Sequence, residues 1–449
     1  MESTTSLSSC CYIPPAHDDP PILRVMPEIL TSIFTWVRIA NGYFSGATPW
    51  ILSQVCRRWR DIALSYPEMW SCVNMGGPRT INISGRVHQL EVSLFRSRSY
   101  PLRIWYREDG DPNAHLWYVL LDHCDHWRTI EITVATADFI HRLFKPQRHA
   151  LTLLEQFHLY SASEVSFNGV PEFNESVLDA LATAPRLHDI LADHFRSPSS
   201  LHLPWSQLTK IHFMCGSPQD DIDILLKTPN LQQLYPLDHT HNLSLPAPIN
   251  HTSLRELRAP EVNALSRFTF PAFKTLSTKM TLMEGNTPSR SPIVHEFIVR
   301  SRCTLREMEL MSVDTDQSLI DLLKDTPTVE VLSLSLNLSR LPSALDTLSK
   351  SLTYPETDKP IFDTLLPHLA KLSIGSVTCF PINHAFATMV RSRWYVDPTR
   401  ATQLRRLVCY VCTIESDVDA ELLRRVYGEG LQLYIRMPGS AAIGSSFDH

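Results

Sequence analysis

The sequence predicts a mixed α/β protein: a small helical segment near the N-terminus, then a long array of strand–helix units. Three observations carry this. Across residues 25–70, apolar side chains recur at the three- and four-residue spacing of amphipathic helices. From residue 127 onward, one short apolar motif keeps returning. At 449 residues, the chain also exceeds one ordinary compact core, so two domains or a repeat array are expected.

The helical segment reads VMPEILTSIFTWVRIANGYFSGATPWILSQVCRRWRDIALSYPEMW. Pro27 has the backbone angle of a helix start, and Glu28 sits where the helix dipole favours negative charge. Ile29, Leu30, Ile33, Phe34 and Val37 form one apolar stripe. Asn41-Gly42 and Gly46 stop that helix, and Pro49 opens a second. The second run is expected to place Ile51, Leu52, Val55, Cys56, Trp59, Ile62 and Ala63 on one face. Tyr66-Pro67 ends it, and Trp70 follows as a large apolar anchor. A turn at Asn74–Pro78 marks the expected boundary.

The bulk numbers narrow the function classes. A net charge of −6 gives no general reason to bind nucleic acid or acidic membranes. No stretch approaches the roughly 20 apolar residues of a membrane span. Met1–Ser9 lacks a secretory signal pattern, so the 10 cysteines are expected as reduced thiols in the cytoplasm or nucleus. With only 14 glycines, there is no phosphate-cradling loop of the Walker or G-x-G-x-x-G kind, nor a G-x-S-x-G elbow.

The recurring motif is an apolar residue, two others, an apolar residue, one other, then an apolar or small residue. It occurs as WRTIEI at Trp127, LEQFHL at Leu154, LTKIHF at Leu208, LQQLYP at Leu231 and LRELRA at Leu254. It continues as FKTLST at Phe273, LREMEL at Leu305, VEVLSL at Val329, LAKLSI at Leu369 and LRRLVC at Leu404, with a looser LHDILA at Leu187. Successive starts lie between 19 and 40 residues apart. Helix-like stretches VLDALATAP, DDIDILLKTP and SLIDLLKDTP lie between copies, each ending at a proline ahead of the next strand.

Alternation along each strand sends the fourth and sixth motif residues into the core. The third and fifth then share an open face, which these mostly polar residues suit better than full burial. Lys210, His212, Tyr235, Glu256, Arg258, Glu307, Glu309, Lys371 and Arg406 are the candidate binding residues there. Lys210, Arg258 and Arg406 suggest basic zones, and Glu256, Glu307 and Glu309 acidic ones, with Glu307/Glu309 favouring a basic segment of a partner.

Other chemistry finds little support. Cys409 and Cys412 form a lone C-x-x-C in an expected strand, with Cys409 inward and Cys412 exposed; a structural zinc site needs four ligands. His123 and His126 could share a helical face, but no second ligand cluster matches them. His295-Glu296 starts like a zinc-protease helix, yet Val299 stands where the second histidine belongs. No cofactor or metal is expected.

The order Pro27-Glu28-Ile29-Leu30, Ile33-Phe34, Val55-Cys56-Arg57-Arg58-Trp59, Pro67, Trp70 resembles an F-box, the helical module of ubiquitin-ligase substrate adaptors. Met26 departs from the usual leucine, and Ala40–Thr48 is longer than in compact members. The later motif is similar to a degenerate leucine-rich repeat, at about 20–29 residues per unit in regular arrays. Together they resemble the F-box proteins of fungi with divergent repeats. The Ser/Thr- and Pro-rich composition of 1–21 gives the expectation of a flexible tail there, and the resemblance implies a three-helix module at 22–73. It implies an irregular repeat solenoid at 79–437, with parallel strands on its concave face and helices outside, and a flexible tail at 438–449. It further implies a non-enzymatic adaptor of an SCF-type cullin–RING ligase. The module would dock on a Skp-type linker subunit and the repeats would hold a protein substrate. The linker-binding candidates are Met26, Pro27, Ile29, Leu30, Ile33, Phe34, Leu52, Val55 and Trp59. Alternatives are a non-ligase scaffold, a module that only caps the solenoid, and an enzyme with a dispersed site.

Overall fold

A computed structural model describes residues 21–40, 46–76, 83–107, 114–134, 151–161, 175–192, 197–213, 217–235, 248–259, 262–279, 291–313, 317–336, 343–355 and 365–436. The tails expected at 1–21 and 438–449 lie outside them, apart from Pro21. The chain divides into two compact units, Met1–Ile132 with Thr152–Leu154, and Thr133–Leu151 with Glu155–His449. The helical segment expected at 22–73 lies inside the first unit, which continues past the turn at 74–78.

In the first unit, α1 (Pro21–Arg24), α2 (Pro27–Ala40), α3 (Thr48–Val55), α4 (Arg57–Ser65) and α5 (Pro67–Trp70) follow in turn. Leu30, Phe34, Leu52, Ile62, Ala63, Met69 and Trp70 form their shared core. The expected single helix over 51–65 is two. Cys56 adopts an extended conformation (φ −157°, ψ 171°), and its Sγ accepts from the Trp59 N–H as the cap of α4. The break rotates α4 relative to α3, so the expected common stripe splits: Leu52, Ile62 and Ala63 are buried, whereas Ile51 and Val55 are exposed. Trp70 Nε1 donates to the Ala63 carbonyl at 2.7 Å, and the Arg96 guanidinium lies 4.4 Å from the Trp70 ring. Arg38, nearly buried, pairs with Glu68 at 2.9 Å.

Two strands precede the first motif copy. β1 (Cys72–Asn74) runs parallel to β2 (Leu102–Arg107), with Cys72 opposite Arg103. α6 (Ile83–Ser97) connects them, and α7 (Ala114–Leu121) leads towards β3 (Trp127–Val134), the neighbour of β2. Leu102, Ile104 and Tyr106 alternate inward along β2. Tyr106, Trp117 and Trp127 continue this core through ring contacts of 5.4 and 5.6 Å.

The second unit carries one large parallel sheet. Its strands are β4 (Gln156–Ser161), β5 (Asp189–Ala192), β6 (Lys210–Phe213), β7 (Gln233–Tyr235), β9 (Glu256–Ala259), β11 (Thr275–Lys279), β12 (Glu307–Val313), β13 (Val331–Leu336), β14 (Lys371–Ile382), β15 (Arg406–Ile414) and β16 (Gln432–Arg436), in that spatial order. β8 (Ile249–Asn250) and β10 (Phe268–Thr269) form a separate short pair. The strands of motif copies begin at the third motif residue, and third residues face each other from strand to strand. A backbone ladder fixes this register: the N–H of each second residue donates to the carbonyl of the previous copy's second residue. Thr209 to His188, Gln232 to Thr209, Lys274 to Arg255, Arg306 to Lys274 and Arg405 to Ala370 are 2.7–2.8 Å long.

The returning segments include α8 (Pro218–Lys227), α9 (Ser291–Ser301), α10 (Gln317–Lys324), α11 (Ser343–Leu352), α12 (His384–Trp394) and α13 (Asp417–Gly428). Their buried leucines, such as Leu225, Leu322, Leu323 and Leu348, supply the core together with the first, fourth and sixth motif residues. The stretch VLDALATAP, expected as a helix, is a 3₁₀ segment over Glu175–Thr183. The chemistry of DDIDILLKTP is better matched to an α-helix, since Ser217 and Asp220 close a capping box at its start.

Candidate partner-binding surfaces

The apolar residues of the first unit separate into two sets. Leu30 and Phe34 are fully buried and Leu52 nearly so. Of the two roles the sequence leaves open for these three, partner contact and packing within the module, their burial favours packing: they hold α2 and α3 to the core. Trp59 is half-buried against that core, with its ring 4.9 Å from Phe34. Met26, Ile29, Ile33, Ile51 and Val55 point to solvent, as does Pro27. Trp36, 71% exposed, joins them. Ile29, Ile33 and Trp36 follow at helical spacing on α2, and Ile51 and Val55 on α3. The sequence signal for Trp36 was present, since it lies seven residues after Ile29.

These stripes lie about one residue's rotation away from the buried ones. Each of the two helices therefore has an apolar face already used and a second apolar face left open. Arg58 donates to the Val25 carbonyl, tying the start of α4 to the turn between α1 and α2. Large apolar side chains exposed at helical spacing, rather than scattered singly, mark interaction sites.

In the second unit, the third and fifth motif residues lie on the sheet face opposite the helices. Most are half-exposed, but Ser277 and Val408 are buried. Asp189, also nearly buried, is a functional candidate that the looser LHDILA copy concealed. Its carboxylate stands 3.3 Å from His158 Nε2 and 3.3 Å from Lys210 Nζ. Gln156 Nε2 donates to it at 3.4 Å. Burial alone would raise the Asp189 pKa; hydrogen bonding and charge from His158, with Lys210, outweigh it and hold the group below the usual carboxylate value. Burial, with the Lys210, His158 and Arg258 cations, pushes His212 below the ordinary imidazole value.

Further along, the His212 and Tyr235 rings stack at 4.9 Å. Tyr235 Oη donates to Glu256 at 3.3 Å, and Gln233 Nε2 donates to it at 2.9 Å. Arg258 pairs with Glu256 at 3.4 Å and lies over the Tyr235 ring at 5.1 Å. From β4 to β9 the charges of this face are thus matched within the chain. From β12 onward they are not: Glu307, Lys371 and Arg406 form no ion pair among the described residues, and Glu309 takes only the Ser277 hydroxyl, at 2.7 Å.

The remaining candidates resolve differently. Cys412, expected to be exposed, is fully buried like Cys409. The cause is a register irregularity: Gly375 pairs with Tyr410 and Phe380 with Cys412, so simple alternation fails there. Interaction with the Cys412 thiol, with burial, drives Cys409 well up; the same interaction lowers Cys412 against burial, which would raise it. His123 and His126 have ring centroids 6.5 Å apart, and no group of three metal-ligating residues occurs among the described residues. His295 Nδ1 lies 2.7 Å from Asp325. A concavity of about 420 Å³ near the last strands is floored by Ile414, Leu423, Leu433 and Ile435, with Glu415, Asp417 and Arg424 exposed around it. No helix among the described residues is long and apolar enough to cross a membrane.

No protein-family model matches the chain, and no curated protein matches it in sequence.

Proposed function

We propose that this protein is a non-catalytic substrate adaptor of an SCF-type cullin–RING ubiquitin ligase. Its N-terminal helices would be an F-box and its parallel sheet an irregular leucine-rich-repeat solenoid. The observation that carries the reading is the open apolar face of α2 and α3. Ile29, Ile33, Trp36, Ile51 and Val55 are displayed on helices whose opposite sides are already packed, and Met26 is exposed just before α2. A groove in a Skp-type linker subunit would cover them, in the helix-in-groove mode. The register-uniform sheet supports the second half, since one strand per unit on an open face suits partner binding. The mechanism is proximity: a bound substrate meets charged ubiquitin at raised effective concentration.

Co-expression with the linker subunit, followed by size-exclusion chromatography, tests this. Wild type should give a stable one-to-one complex, and Ile33→Asp with Val55→Asp should abolish it while circular dichroism stays unchanged. Folded wild type that never binds removes the adaptor reading. The alternative, a non-ligase F-box scaffold, is separated by whether the cullin joins the purified complex.

A further inference from the structure

The charges on the open sheet face are distributed unevenly, and the imbalance describes a partner. Following the register across β11 to β16, one row reads Thr275, Glu307, Val331, Lys371, Arg406, Gln432. The next row reads Ser277, Glu309, Ser333, Ser373, Val408, Tyr434. A third places Ser335, Gly375, Tyr410 and Arg436 side by side. The exposed carboxylates on β12 thus face the exposed Lys371 and Arg436 and the half-buried Arg406 across β13, whose residues on this face are Val331, Ser333 and Ser335.

Three features make this face more than a solvated surface. The charges on either side have no opposite partner among the described residues, whereas Asp189 and Glu256 on the same sheet are matched by His158, Lys210 and Arg258. Arg306, beside Glu307 in the sequence, is taken up by Glu330 at 3.7 Å. The floor between is low: Ser333, Ser335, Ser373 and Gly375 carry little side chain. A Cβ on Gly375 would stand 3.5 Å from that of Tyr410, whose part-exposed ring borders the floor.

We infer that the β12–β16 face docks an extended segment of a partner protein carrying a basic residue and an acidic residue about four positions apart. The spacing follows from geometry. Glu307 and Arg406 are three strands apart, about 14 Å at the usual strand spacing, which extended chain covers at roughly 3.3 Å per residue. The basic residue sits over Glu307 and Glu309, and the acidic one over Lys371 and Arg406. Small residues between them let the segment's main chain come close, and charge complementarity fixes its direction. This rests on reading the sheet face as the surface that receives a partner, and it names that partner's chemistry.

The test uses the full chain and an end-blocked fluorescent peptide, Arg-Ser-Arg-Ser-Gly-Ser-Asp-Ser-Asp, with a peptide bearing glutamine at each charged position as control. Fluorescence anisotropy at physiological salt should show saturable binding of the charged peptide alone, weakening as salt rises. Glu307→Lys with Glu309→Lys should weaken it at least about tenfold, as should Lys371→Glu with Arg406→Glu. The fourfold variant combining both should bind again, because the peptide can lie in the opposite direction. A structural role for these side chains would not produce that recovery. Absence of wild-type binding, or equal binding by the single-zone reversals, overturns the inference. Linker-subunit binding is measured on the same variants: its failure with peptide binding intact removes only the ligase reading, and the converse removes only this one.

Discussion

The rings of Phe34 and Trp59 meet with centroids 4.9 Å apart and planes tilted by 59°. That contact joins α2 to α4 across the helix break, with Phe34 fully buried and Trp59 closing the core from one side. Trp59→Ala is therefore expected to destabilise the first unit by about 2–4 kcal/mol, near the lower end for large aromatic truncations. Ile33→Asp and Val55→Asp, on exposed positions, should change stability by about 0.5 kcal/mol or less. Urea unfolding of the three variants checks this. Equal destabilisation by Ile33→Asp would mean that its face is packed rather than open.

The Cys56 cap gives a finer test of the break. Its Sγ accepts from the Trp59 N–H at 3.5 Å, at the long end for a sulfur acceptor. Serine is a stronger cap, so Cys56→Ser should preserve or raise stability, whereas Cys56→Ala should lower it by about 0.5–1 kcal/mol. If alanine proves harmless, the extended backbone at Cys56 is held by packing alone. Thermal unfolding of both variants decides it.

Asp189 predicts a pH dependence. Its folded pKa lies below the ordinary value of 3.8, because His158 and Lys210 outweigh burial. Its contribution to stability is therefore fully present above pH 4 or so and is lost as pH falls through the lowered folded value. Asp189→Asn should cost about 1–3 kcal/mol at pH 7, and the gap to wild type should narrow below about pH 4. Urea titrations at neutral and acid pH measure it. An undiminished gap in acid would show that the carboxylate charge plays no part.

The strand array was legible because most copies carry the same burial code, as in Leu208, Ile211 and Phe213 inward with Lys210 and His212 more open. What escaped did so for physical reasons. β1 and β2 lack the full motif, although Leu102, Ile104 and Tyr106 alternate inward. β16 follows Gly430 with Leu433 and Ile435 inward, a shortened version of the code. The division of apolar residues on α2 depends on a 100° rotation between Ile29 and Leu30. Periodicity groups those two together, and only the packing partners separate them. The pairing of Asp189 with His158 and Lys210, which come from neighbouring strands, is likewise a tertiary fact, invisible along the chain, whereas Arg258 and Glu256 pair two residues apart on one strand.

Arg393, 1% exposed, is the most deeply buried cation among the described residues, and no carboxylate pairs with it there. Its Nε donates to the Leu352 carbonyl at 2.7 Å, Nη1 to Leu366 at 2.7 Å, and Nη2 to Leu365. Burial lowers its pKa to about 10, which leaves it charged at neutral pH. The guanidinium fork thereby joins the end of α11, the turn before β14 and α12 itself. Leu366 in that turn has φ 50°, a conformation leucine rarely adopts, so the turn depends on outside support. Arg393→Leu would strand three carbonyls in the core and is expected to cost about 3–5 kcal/mol. Arg393→Lys keeps the charge but not the fork, and should cost less than leucine yet well above 1 kcal/mol or so. Hydrogen exchange should then show protection lost first in α11, α12 and β14. A leucine variant as stable as wild type would mean that the three carbonyls find other donors.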